Sequence, residues 1–424
     1  MAAKYADRLS DRDSPVNHFP VAIDPVPRVS IQAFCESPEI AAIVNAAISD
    51  RRMAKAHIKQ NMGGAAAAVE AYKNAPTPNV VVLEAPSNRD SLVEQLDELA
   101  QYCDTGTKLI VLGRMNDIVL YRQLTARGVS EYLVTPFSVV EFVQAISHLF
   151  SVPGAKPLGR VVAVVGAKGG VGASTVAHNL AWCLASVVDM ATIIADLDLG
   201  FGTAGLDYNQ DPPQGVAEAV FAPERVDAVL VDRLLSKCGD KLSLLAAPAT
   251  LDRILDFSET SFDSLLDAMR AATPWIVLDI PHIWSGWARR TLTSADEVVV
   301  VASPDLANLR NAKNLIDNIK IARPHDHPPR LVLNGVGMLK RPEISATEFA
   351  KTVEIDPAAI LPHDAKLFGA AANNGQMIAE IEPNGKSAEI FVDLASLIAG
   401  RAETRKPKRG IFDPLMAKFA RKKA

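Results

Sequence analysis

The feature that most restricts the fold is a glycine-rich segment that directly follows a short apolar run. Residues 161–165 have the composition of a buried strand, and Gly166-Ala167-Lys168-Gly169-Gly170-Val171-Gly172-Ala173-Ser174-Thr175 leads into a helical pattern. Glycines let the backbone curl so that its N–H groups face an anion at the positive end of the following helix. We therefore predict a phosphate-binding loop, with nucleotide contacts from Gly169, Gly170, Val171, Gly172, Ala173, Ser174 and Thr175.

One position in this loop departs from the usual phosphate-binding pattern. The residue before the Ser/Thr is ordinarily a lysine that reaches the β- and γ-phosphates, and here it is Ala173. Ser174 keeps the hydroxyl that is expected to face Mg²⁺. Phosphoryl transfer depends on charge stabilisation around the γ-phosphate, so we expect nucleotide binding with ATP hydrolysis that is slow at best.

Short, nearly continuous apolar runs alternate with helical patterns along most of the chain. Such runs are typical of strands in a parallel sheet that is covered on both faces. Strands are predicted at residues 29–34, 80–83, 109–112 and 131–134, and then at 160–165, 191–195, 242–246, 275–278, 297–302, 330–333 and 359–361. The predicted fold class is therefore α/β with mostly parallel sheets.

Clusters of proline and glycine divide the chain into segments. The predicted organisation is a flexible lead-in at 1–28, a small α/β domain at 29–150, a linker at 151–159, a larger α/β domain at 160–400 and a basic tail at 401–424.

Charge and cysteine usage narrow the functional classes. The chain has a net charge of −5, although residues 401–424 hold nine Lys or Arg against two acidic residues. The acidic body of the chain argues against a protein that coats nucleic acid in general. The four cysteines show no CxxC spacing, which indicates neither a zinc site nor a disulfide framework and fits a reducing cytoplasm. No apolar stretch approaches the roughly 20 residues of a membrane span.

The segment 168–172 resembles the deviant Walker A loop of the MinD/ParA family of ATPases. In that family an early lysine, matched here by Lys168, reaches across a nucleotide-sandwich dimer to the partner's phosphates. The resemblance therefore implies a homodimer that binds ATP and Mg²⁺. The family's later lysine, which acts within one subunit, is the one that Ala173 replaces.

Further family landmarks follow in order along the chain. By resemblance, Asp198 lies near Mg²⁺ and the attacking water, which makes Asp198 and Lys168 the candidate catalytic residues. Asp279 resembles the Walker B aspartate that holds Mg²⁺ through a water, so the implied metal site comprises Ser174, Asp198 and Asp279. Asn334 matches the family's adenine-facing asparagine, and Pro362 and Asp364 match its later adenine loop.

Residues 29–150 resemble, more loosely, the flavodoxin-like receiver domain of response regulators. Glu84 stands where the phosphate-accepting aspartate is expected, Gly113 lacks the expected hydroxyl, and Thr135 precedes Pro136 where a lysine is expected. The resemblance implies a degenerate receiver used for docking or dimerisation. The alternative is that Glu84 imitates a permanently activated state. Phosphorylation at Glu84 is not expected.

The segment 411–424 places Phe412, Leu415, Met416 and Phe419 at helical spacing before a cluster of cations. A basic amphipathic helix can lie on anionic lipid, and this one resembles the C-terminal membrane-targeting helix of MinD. Asp413 and Pro414 count against that interpretation. A solubilising tail and a partner-docking peptide stay open beside peripheral membrane contact.

The combination of a degenerate receiver with this ATPase pattern resembles the CpaE/TadZ family of tight-adherence (Flp-type) pilus assembly proteins. It implies a cytoplasmic, nucleotide-dependent factor that recruits pilus secretion proteins to the inner membrane or cell pole. The alternative is a MinD/ParA-like positioning ATPase that acts on DNA cargo or the division site. DNA cargo requires a basic binding surface, and the acidic body counts against nucleic acid as a partner.

Overall fold

The computed structural model describes residues 23–401 except 87, 152, 153, 155, 156, 249, 250 and 252–254. Two successive α/β units occupy this range, which we call the first unit (residues 23–151) and the second unit (residues 157–401). The predicted amphipathic segment 411–424 and most of the predicted lead-in lie outside the described residues.

The first unit is built on a five-stranded parallel sheet. Its strands pair in the order β2-β1-β3-β4-β5, which is the flavodoxin-like order. They are β1 (Ser30–Cys35), β2 (His57–Met62), β3 (Val80–Glu84), β4 (Lys108–Gly113) and β5 (Glu131–Val134). The helices are α1 (Pro38–Ile48), α2 (Gly64–Tyr72), α3 (Arg89–Leu99), α4 (Ile118–Ala126) and α5 (Val139–Leu149).

Strand β2 was not predicted from the sequence. It lies at the sheet edge, its sequence HIKQNM is largely polar, and none of its residues is fully buried. An edge strand that is open to solvent needs no apolar run, so the hydrophobic pattern carried no signal for it.

The second unit is built on an eight-stranded sheet in the order β13-β12-β11-β6-β10-β7-β9-β8. All pairs are parallel except the short antiparallel pair β8–β9. The strands are β6 (Arg160–Gly166), β7 (Thr192–Asp196), β8 (Ser236–Lys237), β9 (Leu242–Leu245), β10 (Trp275–Ile280), β11 (Glu297–Ala302), β12 (Arg330–Val336) and β13 (Pro357–Pro362). The predicted α/β class with a mostly parallel sheet is confirmed.

Helices cover both faces of this second sheet. They are α6 (Ala173–Ser186), α7 (Ala204–Asp207), α8 (Val216–Val220), α9 (Ala228–Leu234), α10 (Asp263–Ala272), α11 (Gly286–Ser294), α12 (Leu306–Ala322), α13 (Ala346–Val353), α14 (Ala365–Asn374), α15 (Ile378–Ile381) and α16 (Lys386–Ile398). Val161, Ala163 and Val165 of β6 pack into one apolar cluster, and Val162 and Val164 pack into another. Successive residues of a strand point to opposite faces, so a strand that is buried on both sides must be apolar throughout.

A short 3₁₀ turn of the first unit, Arg51–Met53, contacts the second unit. Arg51 Nε lies 2.8 Å from Asp326 Oδ2, and Arg51 Nη1 lies 3.1 Å from Asp296 Oδ1. Arg52 also pairs with Asp326. Asp296 directly precedes β11, and Asp326 lies between α12 and β12, so the turn contacts the amino-terminal edge of the second sheet.

No helix among the described residues is both long enough and apolar enough to cross a membrane.

Candidate functional site

The predicted phosphate-binding loop connects β6 to α6. Its tight course depends on Gly170 and Gly172, which adopt φ values of +76° and +84° that favour glycine. Gly172 precedes α6 and provides no side-chain cap, so the first backbone N–H groups of the helix have no side-chain acceptor at that position. Free N–H groups at the positive end of a 14-residue helix are suited to an anion.

Asn334 of β12 is tied to this loop. Its side-chain amide donates to the carbonyl oxygen of Val171 at 2.8 Å. A Cβ atom added to Gly172 would lie 2.4 Å from the same amide nitrogen, so glycine is required for this close approach. The residue expected from the family resemblance therefore reaches the loop through a direct contact.

A cavity of about 280 Å³ extends from the loop across the carboxyl ends of β11, β12 and β13. Seven residues predicted to bind nucleotide line it together: Gly170, Val171, Gly172, Thr175, Asn334, Pro362 and Asp364. Sequence reasoning missed others that share the lining, among them Ser303, Met338, Arg341 and Phe368. Of the remaining predicted loop residues, Gly169 is exposed, and Ala173 and Ser174 are half-buried in the first turn of α6.

Two aspartates lie beside each other at the ends of adjacent strands. Asp279 of β10 is in register with Asp196 of β7, and both are buried. His178 of α6 joins them, and one ligand atom from each of the three residues lies within 4.8 Å of the others. His178 Nδ1 lies 2.7 Å from Asp207 Oδ2, and His178 Nε2 lies 3.4 Å from Asp279 Oδ2.

Two residues in this region, His178 and Asp196, have shifted pKa values. Burial alone would lower the pKa of His178, but its interactions with Asp207 and Asp279 outweigh burial and raise the pKa to about 10. Burial and the neighbouring charge of Asp279 raise the pKa of Asp196 to about 7, against the opposing charge of His178. The cluster therefore holds a cationic imidazole among crowded carboxylates.

Asp198 lies outside this cluster. Its carboxylate accepts a hydrogen bond from the backbone of Phe201 at 3.0 Å, and its own N–H donates to Asp196 at 3.1 Å. Of Asp196 and Asp198, it is Asp196 that lies in register with Asp279. The role of Asp198 beside Mg²⁺ and water stays a prediction.

The donor set fits a divalent cation held by oxygen ligands. Burial, and after it the charge of Asp279, raises the pKa of Asp196, and a bound cation would favour the ionised carboxylates. That Asp279, together with the Ser174 hydroxyl at the start of α6, holds Mg²⁺ at this edge of the sheet stays a prediction. Bound there, Mg²⁺ would offset negative charge on the nucleotide phosphates.

Comparison with known proteins places this geometry in context. Residues 159–329 match the profile of a family described as an AAA domain. The septum site-determining protein MinD of Helicobacter pylori is 27% identical over 61% of this chain and 99% of its own length. The crystal structure of a ParA family ATPase from Chlorobium tepidum covers 56% of this chain and 98% of its own, at 25% identity and a TM-score of 0.50.

A pilus assembly protein CpaE from Caulobacter crescentus is 44% identical over 31% of this chain and 100% of its own, with a TM-score of 0.30. The phosphate-binding loop, the paired acids, the sheet order and the matches at residues 159–329 agree with one another. The second unit has the fold of a P-loop NTPase of the MinD/ParA type.

Proposed function

We propose that this protein is a nucleotide-dependent assembly factor of a type IV (Flp/Tad) pilus secretion machine. In this proposal it dimerises around Mg²⁺-ATP with weak or no hydrolysis. The observation that carries the proposal is the cavity, because the loop, Asn334, Pro362 and Asp364 line one space although the loop lysine is replaced. Such a site is suited to holding a nucleotide.

The missing lysine sets the expected chemistry. Backbone N–H groups of the loop would hold the phosphates, and Asp279 and Ser174 would hold Mg²⁺. The Ala173 side chain packs against an apolar cluster and supplies neither a charge nor a hydrogen-bond donor. By analogy with the loss of one oxyanion donor, a missing contact of this kind slows the reaction by about 10²–10³-fold.

Lys168 supports a nucleotide-dependent dimer. It is exposed on the loop, as a residue that reaches a second subunit has to be. In the proposed dimer, the Lys168 ammonium contacts the phosphates bound by the partner subunit. Nucleotide affinity and self-association would then rise together.

The first unit supports an assembly role rather than a phosphorelay. Glu84 is buried, and its carboxylate accepts hydrogen bonds from Glu36 N at 2.7 Å, Ser37 N at 2.9 Å and Ser37 Oγ at 2.7 Å. These contacts use the carboxylate to fix the loop after β1. A receiver-like unit of this kind, joined to a MinD/ParA-type unit, is the combination on which the proposed pilus role rests. Peripheral membrane contact through 411–424 is part of the same proposal.

The test is ATP titration with mass measurement on the full chain, as wild type, Lys168→Ala and Ala173→Lys. ATP should convert wild type from monomer to dimer, and Lys168→Ala should stay monomeric. Ala173→Lys should hydrolyse ATP about 10²–10³-fold faster than wild type. Lys351→Ala, at an exposed lysine of α13, is the matched control and should behave as wild type.

Two results would contradict the proposal. If none of the three proteins binds ATP or changes mass, the nucleotide-dependent dimer is wrong. If wild type hydrolyses ATP as fast as Ala173→Lys, the account of the missing lysine is wrong.

A further inference from the structure

An arginine that no motif indicated lies in the nucleotide cavity. Arg341 belongs to the segment between β12 and α13, and it lines the cavity together with Gly170, Gly172 and Asn334. Its backbone N–H donates to the carbonyl of Met338 at 3.2 Å, which folds the segment into a turn over the cavity. Among the described residues that line this cavity, Arg341 is the one Lys or Arg.

Arg341 is held by one carboxylate. Its guanidinium pairs with Asp305, which precedes α12 and caps that helix. Asp305 Oδ1 also accepts hydrogen bonds from Asn308 N at 2.9 Å and Asn308 Nδ2 at 3.0 Å. The side chains of Arg341 and Asp305 remain 32% and 25% exposed, so the pair is accessible to a ligand entering from solvent.

The carboxylate of Asp305 also interacts electrostatically with Lys168 of the loop. Burial alone would raise the pKa of Asp305, but hydrogen bonds from Asn308 and the charges of Arg341 and Lys168 lower it below its ordinary value. Asp305 thus pairs directly with Arg341, which lines the cavity, and interacts electrostatically with Lys168 of the loop. A phosphate chain bound in the cavity would compete with Asp305 for Arg341.

We propose that Arg341 contacts the nucleotide's phosphate chain and supplies the positive charge that Ala173 does not. Asp305 holds the Arg341 guanidinium until a phosphate takes the place of the Asp305 carboxylate. This inference rests on the proposed nucleotide binding and names a further residue of the same site. A guanidinium forms two parallel hydrogen bonds to a carboxylate or to a phosphate, so Arg341 can exchange one for the other with little change in geometry. Because Asp305 competes with phosphate for Arg341, Asp305 lowers the affinity for nucleotide.

The experiment measures dissociation constants for ATP, ADP and AMP on the full chain by calorimetry. Arg341→Ala should weaken ATP binding by about 10–100-fold and AMP binding by less than about 3-fold. Asp305→Asn should tighten ATP binding, because asparagine preserves the helix cap while removing the competing charge. Arg310→Ala is the matched control, since Arg310 is an exposed arginine of α12 outside the cavity lining.

A double variant separates lost contact from added repulsion. Arg341→Ala leaves the Asp305 carboxylate unpaired near the phosphates, and that repulsion alone could weaken ATP binding. In Arg341→Ala with Asp305→Asn, binding that remains weak supports the contact, and a return to wild-type affinity overturns it. Ala173→Lys combined with Arg341→Ala should recover much of the lost ATP affinity.

The remaining outcomes are also decisive. Equal loss of ATP and AMP affinity in Arg341→Ala would overturn the phosphate contact, and weaker ATP binding in Asp305→Asn would overturn the competing role of Asp305. If wild type binds no ATP, the proposed function itself fails. If wild type binds ATP and Arg341→Ala binds it equally well, this inference alone fails.

Discussion

His178 joins the helix behind the phosphate-binding loop to the acids at the strand ends. It is fully buried, with Asp207 on one ring nitrogen and Asp279 near the other. A single histidine on the apolar face of a helix gives no sequence signal for such a role. The glycine loop could be predicted from its local motif, and Asn334, Pro362 and Asp364 from the family resemblance. His178, Asp305 and Arg341 become neighbours of these residues only when the sheet assembles.

Removing the His178 ring should destabilise the protein strongly. In His178→Ala, Asp279 loses its nearby cation inside the protein, and we expect the free energy of unfolding to fall by about 3 kcal/mol. Urea denaturation at neutral pH measures it. The control is His57→Ala, at an exposed position, which should change stability by no more than about 0.5 kcal/mol. A His178→Ala protein as stable as that control would show that the imidazole contributes no net stability.

At the scale of elements, apolar patterning predicted most of the sheet and failed where burial was incomplete. Every run predicted as a strand forms one. Central strands must be apolar on both faces, and the edge strands β5 and β13 are also largely apolar. Strand β2 was not predicted because its sequence at the sheet edge is polar, and β8 was not predicted because it has only two residues. The loop that joins β6 to α6 was predicted because its glycines are required by backbone geometry.

The two glycines at 172 and 169 make a matched pair for testing this loop. Gly172→Ala places a Cβ at positive φ and 2.4 Å from the Asn334 amide, so we expect a loss of about 2–4 kcal/mol in unfolding free energy. Gly169→Ala meets nothing within 4 Å and should be nearly neutral. Thermal and urea unfolding without nucleotide would compare the stabilities of the two variants. Equal stabilities would mean that the loop relaxes around the added methyl group.

At the scale of the whole molecule, a buried charge cluster joins the two units. Arg51 lies between Asp296 and Asp326, and Arg270 contacts Asp296 at 2.8 Å. Burial alone would raise the pKa of both aspartates, but the neighbouring arginines outweigh burial and lower it. We call this buried cluster of Arg51, Arg270, Asp296 and Asp326 the joint. The sequence pattern did not indicate it, because its residues are distant along the chain and each resembles an ordinary surface charge.

The joint should weaken in acid. An aspartate whose pKa is lowered by folding adds stability above its ordinary pKa of 3.8, and that stability is lost as the pH falls through the folded value. Arg51→Ala should therefore reduce the free energy of unfolding by about 3 kcal/mol at neutral pH, and the difference from wild type should shrink as the pH falls below 3.8. Urea denaturation across this pH range measures both proteins.

Lys55→Ala provides the control at the same contact between the two units. Lys55 and Asp267 pair across the two units, but their side chains are 45% and 51% exposed. Such a pair contributes about 0–1 kcal/mol. If Arg51→Ala costs no more than Lys55→Ala, the joint is not what holds the two units together.

The position of this joint has a consequence for how the molecule can change over evolutionary time. The first unit attaches at the amino-terminal edge of the second sheet, while the cavity opens at the carboxyl-terminal edge. A strand of seven residues such as β6 separates those edges by about 20 Å. The first unit lies away from the cavity, so we expect substitutions on its outer surface to accumulate without disturbing the residues that line the cavity.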